Sequence, residues 1–270
     1  MKFGTLRKMT GFVFWLSRLG EKSIEFFREA GGLSILFGRT VYTLFTTKLR
    51  WDHCLDQMNR IGVTSLPLVF LTAIFSGMVL ALQSAYQLRY LQAVQFTADL
   101  VALSMTRELG PVLTAMVVAG RVGAGITAEL GTMKVTEQID ALVSLATDPI
   151  RYLVVPRFLA SFLMLFILGI YADFIGILGG YLVGVFKLDI SSAQYIKRTF
   201  DALILKDIYS GLMKAFIFGI IIAIVGCYFG FKTQDGAEGV GRATTLSVVT
   251  ALILIISFDC LFTALFYFMF

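Results

Sequence analysis

Residues 104–149 read SMTRELGPVLTAMVVAGRVGAGITAELGTMKVTEQIDALVSLATDP, and three textures follow one another along them. From Met105 an apolar segment carries Arg107, Glu108 and Pro111. A run of small residues follows, Ala119, Gly120, Gly123, Ala124 and Gly125, and the stretch ends in a polar, amphipathic piece. A charge within a membrane helix costs on the order of 2.5 to 3.5 kcal/mol on insertion scales, so such residues face a cavity or a partner. Both ends of the stretch therefore carry a functional expectation.

The whole chain supports the membrane reading. It is 57% hydrophobic with a mean hydropathy of +0.82, and only 15% of its residues are charged, too apolar for a soluble domain of 270 residues. Working outward from the opening stretch, five apolar segments can cross a hydrocarbon core about 30 Å thick, which needs about 20 helical residues. They run from Val63 to Leu82, Ala98 to Ala119, Leu153 to Phe186, Ile208 to Phe231 and Val248 to Phe270. The expected fold is an all-α polytopic membrane protein. Five spans place the two ends on opposite sides. With the N-terminus inside, the inner pieces hold 15 Lys and Arg residues and the outer pieces five, so the positive-inside rule puts the N-terminus in the cytoplasm and Phe270 outside.

The third segment has 34 residues, about 51 Å of helix. That length implies tilt, extension beyond the membrane, or a break near Gly179 and Gly180, and leaves one long helix and a re-entrant pair both open. Small residues recur four apart in three segments: Ala73, Gly77, Ala81 and Ala85; Ala172, Gly176, Gly180 and Gly184; Gly211, Ala215, Gly219 and Ala223. Such stripes let helix backbones approach closely, within one bundle or between copies. Gly176, Gly180 and Gly184 are the helix-packing candidates.

The first sixty residues form a separate region, 1–60, before a membrane-spanning domain, 61–270. They show no cleavable signal peptide. Phe12, Val13, Trp15, Leu16 and Leu19, then Ile24, Phe26 and Phe27, alternate with charges at roughly helical spacing, as in helices lying in a membrane interface. A helical cytoplasmic arm is the plainer alternative. Residues 187–207 form an external connection with short helices, read either as a contact for an outside partner or as a solvated linker.

Catalytic signatures are absent. GAEGVGRA, from Gly236 to Ala243, imitates a phosphate-binding loop but has Arg242 and Ala243 where Lys and a hydroxyl are required, and it follows an apolar helix instead of a strand. His53 is the sole histidine, and its neighbours Asp52 and Cys54 lack ligand spacing. Cys227 and Cys260 lie in apolar segments, and three cysteines imply no disulfide framework. The chain is expected to have no enzymatic site, no metal and no cofactor of its own.

Beyond the second span, Val135, Ile139, Leu142 and Leu145 or Ala146 form one apolar stripe, opposite Glu137, Gln138, Asp140 and Ser144, and Asp148-Pro149 ends the helix. A short amphipathic helix between two spans suits the docking of a separate ATPase; an interfacial helix resting on lipid is the alternative. Acidic residues outnumber Lys134 here, which argues against anionic headgroups as its main target.

The run LSMTRELGPVLTAMVVAGRVGAGITAELGTMKVTEQIDAL, with FSGMVLALQ upstream, DPIRYLVVPRFLA downstream and GRATT at Gly241 to Thr245, resembles the MlaE/YrbE family of permeases from MCE-associated ABC lipid transporters. The resemblance covers Ile61 to the C-terminus. It implies a homodimer enclosing a pathway for phospholipid or related lipids, in an inner membrane. It further implies a cytoplasmic ATPase that binds the ATP, an MCE-domain protein outside and a STAS-domain subunit as an optional further partner. By motif position Arg107, Glu108 and Lys214 belong to the lipid pathway, Glu137, Gln138, Asp140 and Leu142 to ATPase coupling, and Arg242 to a cytoplasmic loop. Two readings from other classes stand against it. One is an ion-coupled secondary transporter using Glu108, Asp173, Lys214 and Asp259; the absence of a paired inverted repeat counts against it. The other is a non-transporting scaffold, which leaves the buried charges unexplained.

Overall fold

A computed structural model describes residues 3–47 and 50–269, with side chains from Gly20 onward apart from Lys22, Phe26 and Met269. Its described residues form helices and connecting turns, without a strand. Five stretches among them are long and apolar enough to cross a membrane: Trp51–Arg89, Val94–Val135, Ile150–Phe186, Leu205–Lys232 and Gly236–Phe268. The chain is thus an all-α polytopic membrane protein, with each span extending beyond its apolar centre.

The N-terminal region begins with one long helix, α1 (Phe3–Thr46). Its later half docks on the bundle. Leu36 and Thr40 are buried there, and Glu29 pairs with Lys232. Burial raises the Glu29 pKa, but the Lys232 ammonium and the Tyr228 hydroxyl lower it more, so the carboxyl sits below its ordinary value. Ile24 and Phe27 are exposed, whereas the side chains of Phe12, Val13, Trp15, Leu16, Leu19 and Phe26 lie outside the described residues.

The first span joins α2 (Trp51–Ile61) to α3 (Leu66–Arg89) through a short 3-10 turn, with Pro67 in the first turn of α3, where a missing N–H costs nothing. The second span is built in pieces: α4 (Thr97–Ser104), a π-helical turn at Met105–Leu109, α5 (Gly110–Val118), a second π turn at Ala119–Gly123, and α6 (Ala124–Val135). A third π turn, Ile150–Val154, leads into α8 (Val155–Phe186), after the short α7 (Gln138–Ser144). Two of these wide turns end two residues before prolines, Pro111 and Pro156. A proline ring clashes with the carbonyl four residues earlier, and the extra residue of a π turn moves that carbonyl away. The remaining elements are α9 (Ser192–Ala202), α10 (Leu205–Lys232) and α11 (Gly236–Met269).

Glycines set how close the helices come. A Cβ on Gly77 of α3 would run into the Gly176 carbonyl of α8, and one on Gly179 would run into the Ile74 carbonyl. Gly219 of α10 lies against the Ser161 carbonyl and Phe162 backbone of α8. The small-residue stripes are therefore used within the bundle. The third span is a single unbroken helical stretch of 37 residues, about 55 Å long. Gly179 and Gly180 do not break it; they admit Ile74 and the Val101 and Tyr195 side chains.

The connection between the third and fourth spans is no loose linker. Gly180 and Gly184 leave a slot for the buried Tyr195 ring of α9, and Arg198 pairs with Asp99 at 3.0 Å while covering the Phe96 ring. Burial and the neighbouring Asp99 carboxylate raise the Tyr195 pKa, so the phenol stays neutral.

The amphipathic helix is shorter than its apolar stripe suggests. Glu137 adopts a left-handed conformation, φ 59°, which ends the preceding helix and starts α7 at Gln138. Val135 thereby belongs to α6, and the stripe resolves differently: Ile139 is buried and Leu142 half-buried against the core, while Val143 and Leu145 are exposed. Ala146, also at positive φ, closes the helix before Asp148.

Candidate functional site

The charged residues of the opening stretch lie where α10 touches the first π turn. Gly211 has no side chain to hold the helices apart; a Cβ there would run into the Thr106 carbonyl oxygen. The next turn of α10 then brings Lys214 to Glu108, about 14 Å along the helix from Leu205. The ammonium is 1% exposed and lies 2.5 Å from Glu108 Oε2. It also donates to Thr263 Oγ1 of α11 at 2.7 Å, and Thr263 donates to Glu108 Oε1 at 3.0 Å, closing a three-residue ring. Asp259 Oδ1, one turn earlier on α11, stands 2.9 Å from the same ammonium but off its hydrogen-bonding direction.

Arg107 turns to a different partner. Its Nη2 and Nε approach Asp207 Oδ1 at 2.6 and 2.7 Å, and the other oxygen of Asp207 accepts the Ile204 N–H at 3.1 Å, fixing the first turn of α10. Adjacent residues on an α-helix diverge by about 100°; the wider π turn lets both reach α10, Arg107 toward its start and Glu108 deeper. The five charged groups sum to one negative charge, and two remain open to the surface of the single chain: the Arg107 side chain is 51% exposed and that of Glu108 38%. Asp173 lies apart from the ring, buried against Gly110 with one carboxylate oxygen unpaired.

The ATPase-coupling candidates form a separate surface. Glu137, Gln138 and Asp140 are exposed, and Lys134 bridges both oxygens of Asp140 at 2.9 and 3.0 Å. Leu142 faces inward, so Val143 and Leu145 supply the exposed apolar side of α7. Arg242 pairs with Asp235 at 2.8 Å on the surface, in the first turns of α11. Gly176, Gly180 and Gly184 serve the intrachain contacts described above. Sequence reasoning did not place Asp207 or Thr263 in the site. Asp259 entered only the ion-coupled reading, beside Glu108, Asp173 and Lys214.

The arrangement is a polar cluster held within the apolar spans and half open on one side. Comparison with known proteins decides its context. A family model described as Permease MlaE matches residues 54–265. The chain belongs to the MlaE permease family. The match begins within α2 and leaves α1 outside it. A probable ABC transporter permease protein of Rickettsia conorii is 47% identical over 249 residues, covering 92% of this chain and 96% of that protein. A second, from Synechocystis, is 43% identical over 233 residues, 83% of this chain and 89% of its own length. The intermembrane phospholipid transport system permease protein MlaE of Haemophilus influenzae is 37% identical over 255 residues, with 94% and 97% covered. Membership of the MlaE family makes this chain a transporter permease, a multi-pass membrane protein whose charged cluster sits within its spans.

Proposed function

We propose that this chain is the permease subunit of an ABC transporter that moves phospholipids or related lipids between membranes. It works in the inner membrane as a homodimer, with its N-terminus cytoplasmic and its C-terminus periplasmic. A separate ATPase, which binds the ATP, docks at α7. An MCE-domain lipid-binding protein engages the opposite face, and a STAS-domain subunit is a further candidate at the ATPase. The chain itself carries out no catalysis and needs no metal.

The observation that carries this reading is the half-open charged cluster. Charges exposed at membrane depth need a water-lined or headgroup-lined space or a protein cover, and a second copy of the chain would turn an open face into an enclosed path. Arg107 and Glu108 offer opposite charges side by side. A lipid phosphate suits the first and a headgroup amine or hydroxyl the second. The phospholipid transport named for the Haemophilus relative agrees with that chemistry.

The decisive experiment is transfer of labelled phospholipid from proteoliposomes containing the complex, followed with and without ATP. ATP-dependent transfer is expected. Glu137→Lys should abolish it and weaken copurification of the ATPase while leaving the permease folded, because Glu137 already occupies its left-handed conformation as a non-glycine and the substitution adds no new backbone cost. Transfer driven by an ion gradient without ATP, or full transfer and normal copurification in the variant, would refute the reading.

A further inference from the structure

A second cluster of cationic and polar side chains lies far along the chain from the Lys214 ring, where the first and third spans begin. These two spans start at Trp51 and Ile150, and alternation of spans puts both starts at one membrane face. Between them is a cavity of about 360 Å³ lined by Thr47, Arg50, His53, Asp148, Arg151 and Tyr152, among others. Its volume falls in the roughly 300–1,000 Å³ range of small-molecule sites.

Its lining suits an anion. Arg50 and Arg151 contribute two positive charges against the single negative charge of Asp148, whose Oδ1 accepts the Ile150 N–H at 3.0 Å. The Arg50 guanidinium and the His53 ring both rest on the Tyr152 ring, at 5.5 and 5.2 Å between centres, which holds them at one wall. His53 Nε2 is buried and has no hydrogen-bond partner within the chain. Arg50 also occupies the N-cap of α2 without a side-chain cap, so the first-turn N–H groups of an eleven-residue helix add their partial positive charge on the same side. A buried, unpaired imidazole nitrogen costs free energy unless something outside the chain satisfies it.

We propose that this cavity binds a phosphate-bearing anion, Arg50 and Arg151 holding the phosphate oxygens and His53 donating to one of them. Both guanidinium groups match the geometry of phosphate oxygens better than an ammonium would. The exposed Trp51 marks the level at which aromatic residues meet lipid headgroups, so the anion is either the headgroup of a lipid in that leaflet or a soluble phosphate. The site is separate from the lipid path through Lys214 and does not depend on the transport reading. It would couple the start of the first span to the linker that follows α7.

Because His53 is the sole histidine, imidazole labelling of the full chain, purified in maltoside micelles without a histidine tag, gives one assignable magnetic resonance signal. Two titrations distinguish the sources. Inorganic phosphate is compared with sodium chloride at equal ionic strength, and phosphatidylglycerol is compared with phosphate-free diacylglycerol. A saturable shift of the His53 signal with lipid alone identifies a headgroup site, and with inorganic phosphate a site open to soluble anion; either supports the proposal. Arg50→Gln with Arg151→Gln should weaken the half-saturation concentration about tenfold or more. If neither phosphate compound shifts the wild-type signal beyond its control, the proposal is overturned, whether or not the double variant folds.

Discussion

Lys214 is buried while its three partners are not equally so, and this asymmetry sets what each substitution should do. The ammonium answers two carboxylates, Glu108 and Asp259, and the Thr263 hydroxyl. Removing it leaves two like charges near one another without a counterion, and breaking a buried ion pair in this way costs about 3–5 kcal/mol. Neutralising Glu108 is milder. Its side chain is 38% exposed, and Asp259 remains to balance the ammonium, so Glu108→Gln should cost about 1 kcal/mol or less. Thermal unfolding in matched micelles should therefore rank Lys214→Met well below Glu108→Gln. The double variant should not recover wild-type stability until Asp259→Asn is added, since Asp259 would still be unpaired. Equal unfolding temperatures for the two single variants would rule out this division of labour. That Glu108 and Lys214 belong to one site was legible in the sequence, because each stands as a charge within an apolar segment. Asp207 and Thr263 were not legible, because their approach depends on how α10 and α11 are rotated against the π turn, which no spacing within one helix records.

At the scale of elements, the spacing of small residues carried most of the information about packing, and the structure shows which neighbour each stripe receives. Gly77 offers the sharpest test, since the atom facing its missing Cβ is a backbone carbonyl of α8 that has no rotamer to retreat into. Gly77→Val should destabilise the bundle by about 3 kcal/mol or more through overpacking. Gly120 is the control, with nothing within 4 Å of its missing Cβ, so Gly120→Ala should be neutral or slightly stabilising. Comparable loss of folded protein in both variants would show that α3 and α8 yield more easily than the geometry states. The stripe from Val135 to Leu145 had the right period and the wrong boundaries. Periodicity does not register a single left-handed residue, and Glu137 is one, so the helix begins three residues past the last residue of α6 and exposes Val143 and Leu145 instead of burying the whole stripe. The wide turns at Met105–Leu109 and Ile150–Val154 were equally hidden as such, although Pro111 and Pro156 marked where an ordinary helix would be strained.

Across the whole molecule, burial is uneven among the spans: 61% of the apolar window of the third and of the fourth lies inside the chain, but only 11% of that of α11. An outward-facing helix could simply meet lipid tails. Yet α11 also carries Asp259 and Thr263 into the charged ring, and a lipid-only surroundings would leave Glu108 and Arg107 facing hydrocarbon. Two copies related by a two-fold axis would resolve the conflict by covering that face while keeping a polar path. Native mass spectrometry of the complex from nanodiscs should then find two permease chains per particle. The path itself can be read chemically. Cys260 is exposed beside the ring and must first be removed. In a Cys260→Ser background, Thr263→Cys should react with a membrane-impermeant thiol reagent, because a headgroup path admits water to that position, and added short-chain phospholipid should slow the reaction several-fold by occupying the path. A single permease per particle would refute the dimer. A Thr263→Cys thiol that is inert in the folded complex, or whose reaction ignores the phospholipid, would place the ring in a sealed packing interface, and the charges would then serve only to hold the first π turn, α10 and α11 together.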